Sequence, residues 1–168
     1  MRIFLIGFMG CGKSSFGRRL ARKLDYLFVD LDDAVEKKAG KPIAAIFDQH
    51  GEEAFRNLER DALHDTLSLK KAIIATGGGT PCHFDNMDFM LENGVTVYLK
   101  MSPLSLSHRL EYARKERPLV KGLKGDELSQ LIRDKLTHRE AYYMKAQCII
   151  KGETIKTDQV ISLVFGHE

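Results

Sequence analysis

The chain has 168 residues, 26 Lys+Arg against 23 Asp+Glu, and a formal net charge of +3. That length suits a single domain, and 43% hydrophobic with 29% charged residues marks a globular rather than a disordered chain. Near-balanced charge excludes a broad basic face for nucleic acid, and no apolar run reaches the ~20 residues of a membrane span.

Arg2–Ile6 is a short apolar run ending in Gly7, as a buried parallel strand requires. The run is too short for a secretory signal. The 3 cysteines, Cys11, Cys82 and Cys148, are odd in number and widely spaced, which predicts a cytoplasmic protein without a disulfide scaffold. Ser14–Leu24 carries Phe16, Leu20, Ala21 and Leu24 at helical spacing. Leu27-Phe28-Val29 predicts a second strand ending on Asp30-Leu31-Asp32, and Ala34–Lys38 a brief helix stopped by Gly40 and Pro42. A helical pattern runs from Ile43 to Phe47, breaks near His50-Gly51, and resumes over Glu52–Leu69. Ala72–Ala75 predicts a third strand, followed at once by Thr76-Gly77-Gly78-Gly79. Beyond it come a helix over Asp85–Glu92, a strand over Val95–Leu99 and a helix from Leu104 to Glu111. A charged stretch from Arg114 to Gly125 precedes a helix over Glu127–Met144, a fifth strand over Ala146–Ile150 and a last helix over Thr157–Val164. Strands alternating with helices imply βαβ units and a parallel sheet covered on both faces, hence a three-layer α/β/α fold. Right-handed crossovers bring the ends of the strands to one edge, where such sheets bind ligands.

Gly7-Phe8-Met9-Gly10-Cys11-Gly12-Lys13-Ser14 matches G-x-x-x-x-G-K-S in the required place, after a strand and before a helix. Its amides and the helix dipole would cradle a nucleoside triphosphate, Lys13 would reach the outer phosphates, and Ser14 would ligate magnesium. Cys11 sits at a tolerant position of the loop, where its backbone matters more than its thiol. Asp30 and Asp32 would point the same way from an extended strand end, one near magnesium and one toward the phosphoryl acceptor. Asp33 is the expected N-cap of the helix that follows.

The remaining candidates have two readings each. Arg56 is either a surface partner of Glu59 or an Arg fork, held by Glu59, that grips a substrate carboxylate. Gly77-Gly78-Gly79 is either a tight turn or a backbone that a ligand approaches closely. The basic stretch with Arg114, Lys115, Arg117, Lys121 and Lys124 is either a solvated loop or a lid over the phosphates. Arg139, taken alone, reads as a surface residue.

Taken together, Gly7–Ser15, Asp30-Leu31-Asp32, Ile46-Phe47 with Phe55-Arg56 and Glu59, Thr76–Gly79, Arg117-Pro118-Leu119 and Arg139-Glu140-Ala141-Tyr142-Tyr143 resemble the shikimate kinase family over nearly the whole chain. The resemblance implies a nucleoside-monophosphate-kinase-like fold over residues 1–168, with a five-stranded parallel sheet and a lid at about 112–125. It implies a monomer that moves the γ-phosphoryl group of ATP to the 3-hydroxyl of shikimate with Mg²⁺, without nucleic acid or membrane partners. Lys13, Asp32 and Arg117 would then be catalytic, and Gly10, Cys11, Gly12, Lys13, Ser14, Ser15, Arg109 and Arg117 would hold ATP. Ser14 and Asp30 would hold the metal. Shikimate would meet Asp32, Phe47, Phe55, Arg56, Gly77, Gly78, Gly79 and Arg139, with Glu59 orienting Arg56. The Cys148–Thr154 segment departs from the family by lacking the Asp and Pro often found in its adenine loop. A gluconate kinase or nucleoside monophosphate kinase would share the phosphate loop without requiring Arg56, the glycines and Arg139 together. A GTPase would need Asn-Lys-x-Asp, which is absent from the chain.

Overall fold

The structure is a computed structural model that describes residues 1–114 and 117–166. Five strands, β1 (Arg2–Ile6), β2 (Leu27–Asp30), β3 (Ala72–Ala75), β4 (Val95–Lys100) and β5 (Cys148–Lys151), form one parallel sheet ordered β2-β3-β1-β4-β5. β1 lies in the centre, which explains its continuous apolar run: Ile3, Phe4, Leu5 and Ile6 are all 0% exposed. Each such side chain removed from water contributes roughly 1.5–3 kcal/mol. The registers level Leu5, Asp30 and Ala75 across three neighbouring strands. The phosphate loop, the carboxylates and the glycines therefore leave the sheet side by side.

Among the described residues, seven α-helices surround the sheet: α1 (Lys13–Leu24), α2 (Leu31–Ala39), α3 (Ile43–Asp65), α4 (Asn86–Asn93), α5 (Pro103–Glu111), α6 (Gly125–Tyr143) and α7 (Thr157–Phe165). α1 packs closely on the sheet because residue 17 is glycine. A Cβ there would stand 2.6 Å from the Phe28 ring and 3.1 Å from Leu5. The break expected near His50-Gly51 is present, with Gly51 at φ 80° and ψ 177° inside α3. Residues eight apart on an unbroken helix would be about 12 Å apart along its axis. The break lets the rings of Phe47 and Phe55 approach to 4.9 Å between centroids.

Three expectations are corrected. Asp32 does not continue an extended strand: α2 begins at Leu31, so Asp32 belongs to its first turn. The N-cap of α2 is Asp30, not Asp33; Asp30 keeps an extended backbone and its Oδ1 accepts from the amide of Asp32 at 3.0 Å. α6 starts at Gly125, two positions ahead of the expected Glu127, and the expected lid contains a short 3₁₀ turn at Pro118–Val120. Lys115 lies outside the described residues. Among the described residues, no helix is long and apolar enough to cross a membrane.

Candidate active site

The loop from Gly7 to Gly12 joins the end of β1 to α1. Gly10 at φ 83° and Gly12 at φ 91° adopt the left-handed backbone that turns the chain inward, a conformation costly for residues with a Cβ. A side chain at Gly10 would also strike Leu110 at 2.9 Å. Lys13 is buried, and its Nζ donates to the carbonyls of Gly7 at 2.6 Å and Phe8 at 3.1 Å. Burial pushes the Lys13 ammonium below its ordinary range, with Arg117 and Arg139 adding to the effect and Cys11 and Asp32 opposing it. The Cys11 thiol is tucked inward, 3.8 Å from Lys13 Nζ, while Ser15 is exposed on the first turn of α1.

Ser14 and Asp30 meet directly. Ser14 Oγ donates to Asp30 Oδ2 at 2.6 Å, so one Asp30 oxygen serves the serine and the other caps α2. Magnesium in nucleotide sites takes one or two protein oxygens and fills its octahedron with phosphate and water. A hydroxyl and a carboxylate oxygen beside a phosphate loop fit that demand. No cluster of three or more His, Cys, Asp or Glu side chains able to hold a metal occurs among the described residues.

Arg56 is not a surface residue. It lies on α3 with its side chain 12% exposed, and its Nη1 donates to Glu59 Oε1 at 2.9 Å. Its guanidinium also lies over the Phe55 ring, 5.0 Å from the centroid. Glu59 is 1% exposed, and its second oxygen accepts from Thr80 Oγ1 at 2.9 Å. Desolvation raises the Glu59 carboxyl above the usual carboxylate range, while the charge and hydrogen bonds of Arg56 and Thr80 pull it back.

The three glycines are explained by what surrounds them. A Cβ would stand 2.9 Å from Glu59 Oε2 at Gly77, 3.0 Å from Arg139 Nη1 at Gly78 and 2.6 Å from Arg56 Nη2 at Gly79. None of the three has a positive φ, so the requirement is space rather than backbone freedom. Arg139, on α6, therefore reaches the same loop as Arg56, contrary to its surface reading in isolation. Its Nη1 is buried without a hydrogen-bond partner among the described residues, and its guanidinium lies 5.5 Å from the Phe8 ring centroid.

Arg117 is partly buried immediately before the 3₁₀ turn, and its charge acts on Lys13. Arg109 is exposed; it lies beside Gly12, and its Nη2 donates to the carbonyl of Glu153 at 3.2 Å, linking the phosphate loop to the segment after β5. Sequence reasoning gave no role to Thr80 or Tyr143. The Tyr143 hydroxyl, fully buried, donates to the carbonyl of Gly78 and ties the end of α6 to the glycines. Tyr143 lay within a quoted motif, but nothing in its local spacing pointed to a partner 65 positions away.

This sheet order, with Lys13 and Ser14 on a glycine loop feeding the first helix, defines a P-loop kinase. A family model described as shikimate kinase matches residues 9–166. The shikimate kinase of Parabacteroides distasonis is 43% identical over 157 residues, covering 94% of this chain and 91% of that protein. The crystal structure of shikimate kinase from Bacteroides thetaiotaomicron aligns with a TM-score of 0.94 at 38% identity, covering 98% of each chain. That of Acinetobacter baumannii shikimate kinase in complex with shikimate aligns with a TM-score of 0.85 at 33% identity, covering 98% of this chain and 92% of that one. The chain belongs to the shikimate kinase family, as the sequence resemblance implied. A gluconokinase from Sinorhizobium meliloti, at 17% identity and a TM-score of 0.61, shares the fold alone.

Proposed function

We propose that the protein transfers the γ-phosphoryl group of ATP to the 3-hydroxyl of shikimate, giving shikimate 3-phosphate and ADP. One observation carries the acceptor assignment: two guanidinium groups, Arg56 and Arg139, converge on consecutive glycines, and one buried Arg139 nitrogen has no hydrogen-bond partner among the described residues. Two cations held together in a partly dry site favour an anion between them, and a guanidinium fork matches a carboxylate in two-pronged fashion. Shikimate supplies that carboxylate on a small ring, which Phe47 and Phe55 would wall while Glu59 holds Arg56 in aim.

Phosphoryl transfer is mostly positioning and charge neutralisation. The amides of Gly10, Cys11 and Gly12, with Ser15, would bind the ATP phosphates. Lys13, released from the loop carbonyls that it now holds, would neutralise charge on the transferring group. Arg117 would approach from the opposite side, on a segment that serves as a lid and excludes water. Arg109 would hold the nucleotide base beside the segment after β5. Asp32, in the first turn of α2, would orient the acceptor hydroxyl and take its proton as the bond to phosphorus forms. Ser14 and Asp30 would hold Mg²⁺, which would supply positive charge to offset that of the outer phosphates.

A coupled assay of ADP release with ATP, Mg²⁺ and shikimate tests the reading. Turnover with shikimate and none with gluconate supports it. Turnover with gluconate or a nucleoside monophosphate, and none with shikimate, sinks it.

A further inference from the structure

Glu59 presents a buried carboxylate, and such a group is tolerated only when its oxygens are hydrogen-bonded. Oε1 is taken by Arg56 and Oε2 by Thr80, each at 2.9 Å. Thr80 is 0% exposed, so its hydroxyl has no water to turn toward. Its backbone is fixed on both sides: its amide donates to Gly77 O at 3.2 Å, and its carbonyl accepts from Nδ2 of buried Asn86 at 3.0 Å. The hydroxyl is thus aimed by backbone that α4 anchors, not by its own rotamer alone. The absence of a Cβ at Gly77 leaves room for Glu59 Oε2 to approach.

We propose that Thr80 is a positioning residue for acceptor binding: its hydroxyl locks the Glu59 carboxylate in the orientation that aims Arg56 at the acceptor carboxylate. The role rests on shikimate being the acceptor. Groups facing Glu59 are Arg56 on its own helix, Asp32 from α2, and Thr80 with Cys82 from the turn after the glycines. Burial and Asp32 both favour a protonated Glu59, whereas Arg56 and Thr80 favour the charged form. Without the Thr80 hydroxyl, Oε2 loses its donor, the carboxyl protonates at higher pH, and the Arg56 fork loses its buried counter-charge, keeping only the exposed Glu52 at 3.4 Å.

The test is steady-state kinetics of the full chain with ATP, Mg²⁺ and shikimate for wild type, Thr80→Val and Thr80→Ser across pH. Thr80→Val, nearly isosteric, is expected to raise the KM for shikimate about tenfold, the loss of one charge-assisted hydrogen bond. The KM for ATP should stay unchanged, and the acid limb of kcat/KM for shikimate should move to higher pH. Thr80→Ser, which keeps the donor, should restore both. An unchanged shikimate KM and acid limb in Thr80→Val overturns the role, as does an equal rise in both KM values. Failure of Thr80→Ser to restore shikimate binding also overturns it. Should Thr80→Val not fold, the Thr80→Ser variant and its Ala counterpart provide the same comparison through shikimate binding by calorimetry. If wild type itself turns over no shikimate, the acceptor assignment fails, and the role of Thr80 falls with it.

Discussion

A Cβ on residue 79 would stand 2.6 Å from Nη2 of Arg56, so the bare backbone at Gly79 is what lets the Arg56 side chain occupy its position. The added methyl of Gly79→Ala must displace the guanidinium, because the three nearest atoms to it, at 2.6, 2.8 and 3.0 Å, all belong to that group. The expected outcome is a rise in shikimate KM of about tenfold or more, equivalent to roughly 1.4 kcal/mol, with ATP affinity unchanged. Parallel titrations of the two substrates check it. Equal weakening of both would place the damage in the fold rather than at the clamp.

Asp32 stands on the first turn of α2, two residues after Asp30, which pairs with Ala75 at the end of the neighbouring strand β3. Asp32→Asn preserves shape and removes the proton acceptor. Loss of a general base typically costs about 10²–10⁴-fold, so kcat should fall in that range while ATP binding persists. A variant retaining near-wild-type kcat would remove Asp32 from the proton transfer.

Asp30 has two duties that can be separated. Asn caps helices about as well as Asp, whereas an Ala at that position costs about 1 kcal/mol. Asp30→Asn should therefore melt close to wild type yet need more Mg²⁺ for half-maximal rate. Asp30→Ala should show the same magnesium defect together with a lower Tm. A magnesium dependence that does not move in either variant would limit Asp30 to capping α2.

Tyr143→Phe removes the donor to the Gly78 carbonyl and leaves that oxygen unpaired beside a fully buried ring. Gly78 is only partly buried, so the cost should fall at or below the low end of the about 1–3 kcal/mol of an unsatisfied buried acceptor, and for a protein of this size each kcal/mol lowers Tm by roughly 2–4 °C. Shikimate KM should rise as well, because α6 carries Arg139 to the same loop. Thermal melts and substrate titration check the two effects independently.

The pH dependence follows from Glu59. Its folded-state carboxyl is held above the ordinary carboxylate range, with burial as the main cause. As pH falls through that raised value, Glu59 gains a proton and Arg56 loses its buried counter-charge. The KM for shikimate should thus climb on acidification, beginning at a higher pH than an ordinary carboxylate would produce. ATP KM measured over the same range serves as the control, since the hydrogen bonds of Glu59 go to Arg56 and Thr80 and not to the phosphate loop.

How much of the site was legible in the chain differs from residue to residue. Lys13 and Ser14 were readable because the phosphate loop is a local device, in which glycines, strand end and helix start lie within a few positions of one another. The break at Gly51 was also local, a glycine inside a helical pattern. Asp30 ends β2 with an extended backbone, as its apolar run indicates, but Asp32 was misread as extended. The Asp30 side chain caps the amide of Asp32 and starts α2 one turn earlier than the apolar pattern indicates. Arg139 carried no local signal at all; only the resemblance raised it, since α6 meets the glycines from across the sheet edge.

By itself the sequence determined a charge-balanced chain of alternating strands and helices with a triphosphate loop after its first strand. Hydrophobic runs and glycine spacing act over a few residues, and each stretch carries that information within itself. Tertiary structure alone decided why residues 77–79 must be glycine. Each yields the volume of a Cβ to a side chain from elsewhere in the chain: Glu59 on α3, Arg139 on α6 and Arg56 on α3. It also decided which hydroxyl holds Glu59, because a buried carboxylate takes its partners from whatever packing brings to it. The +3 net charge was silent on function for the same reason: the cations that count are a handful, gathered by folding to one edge of the sheet.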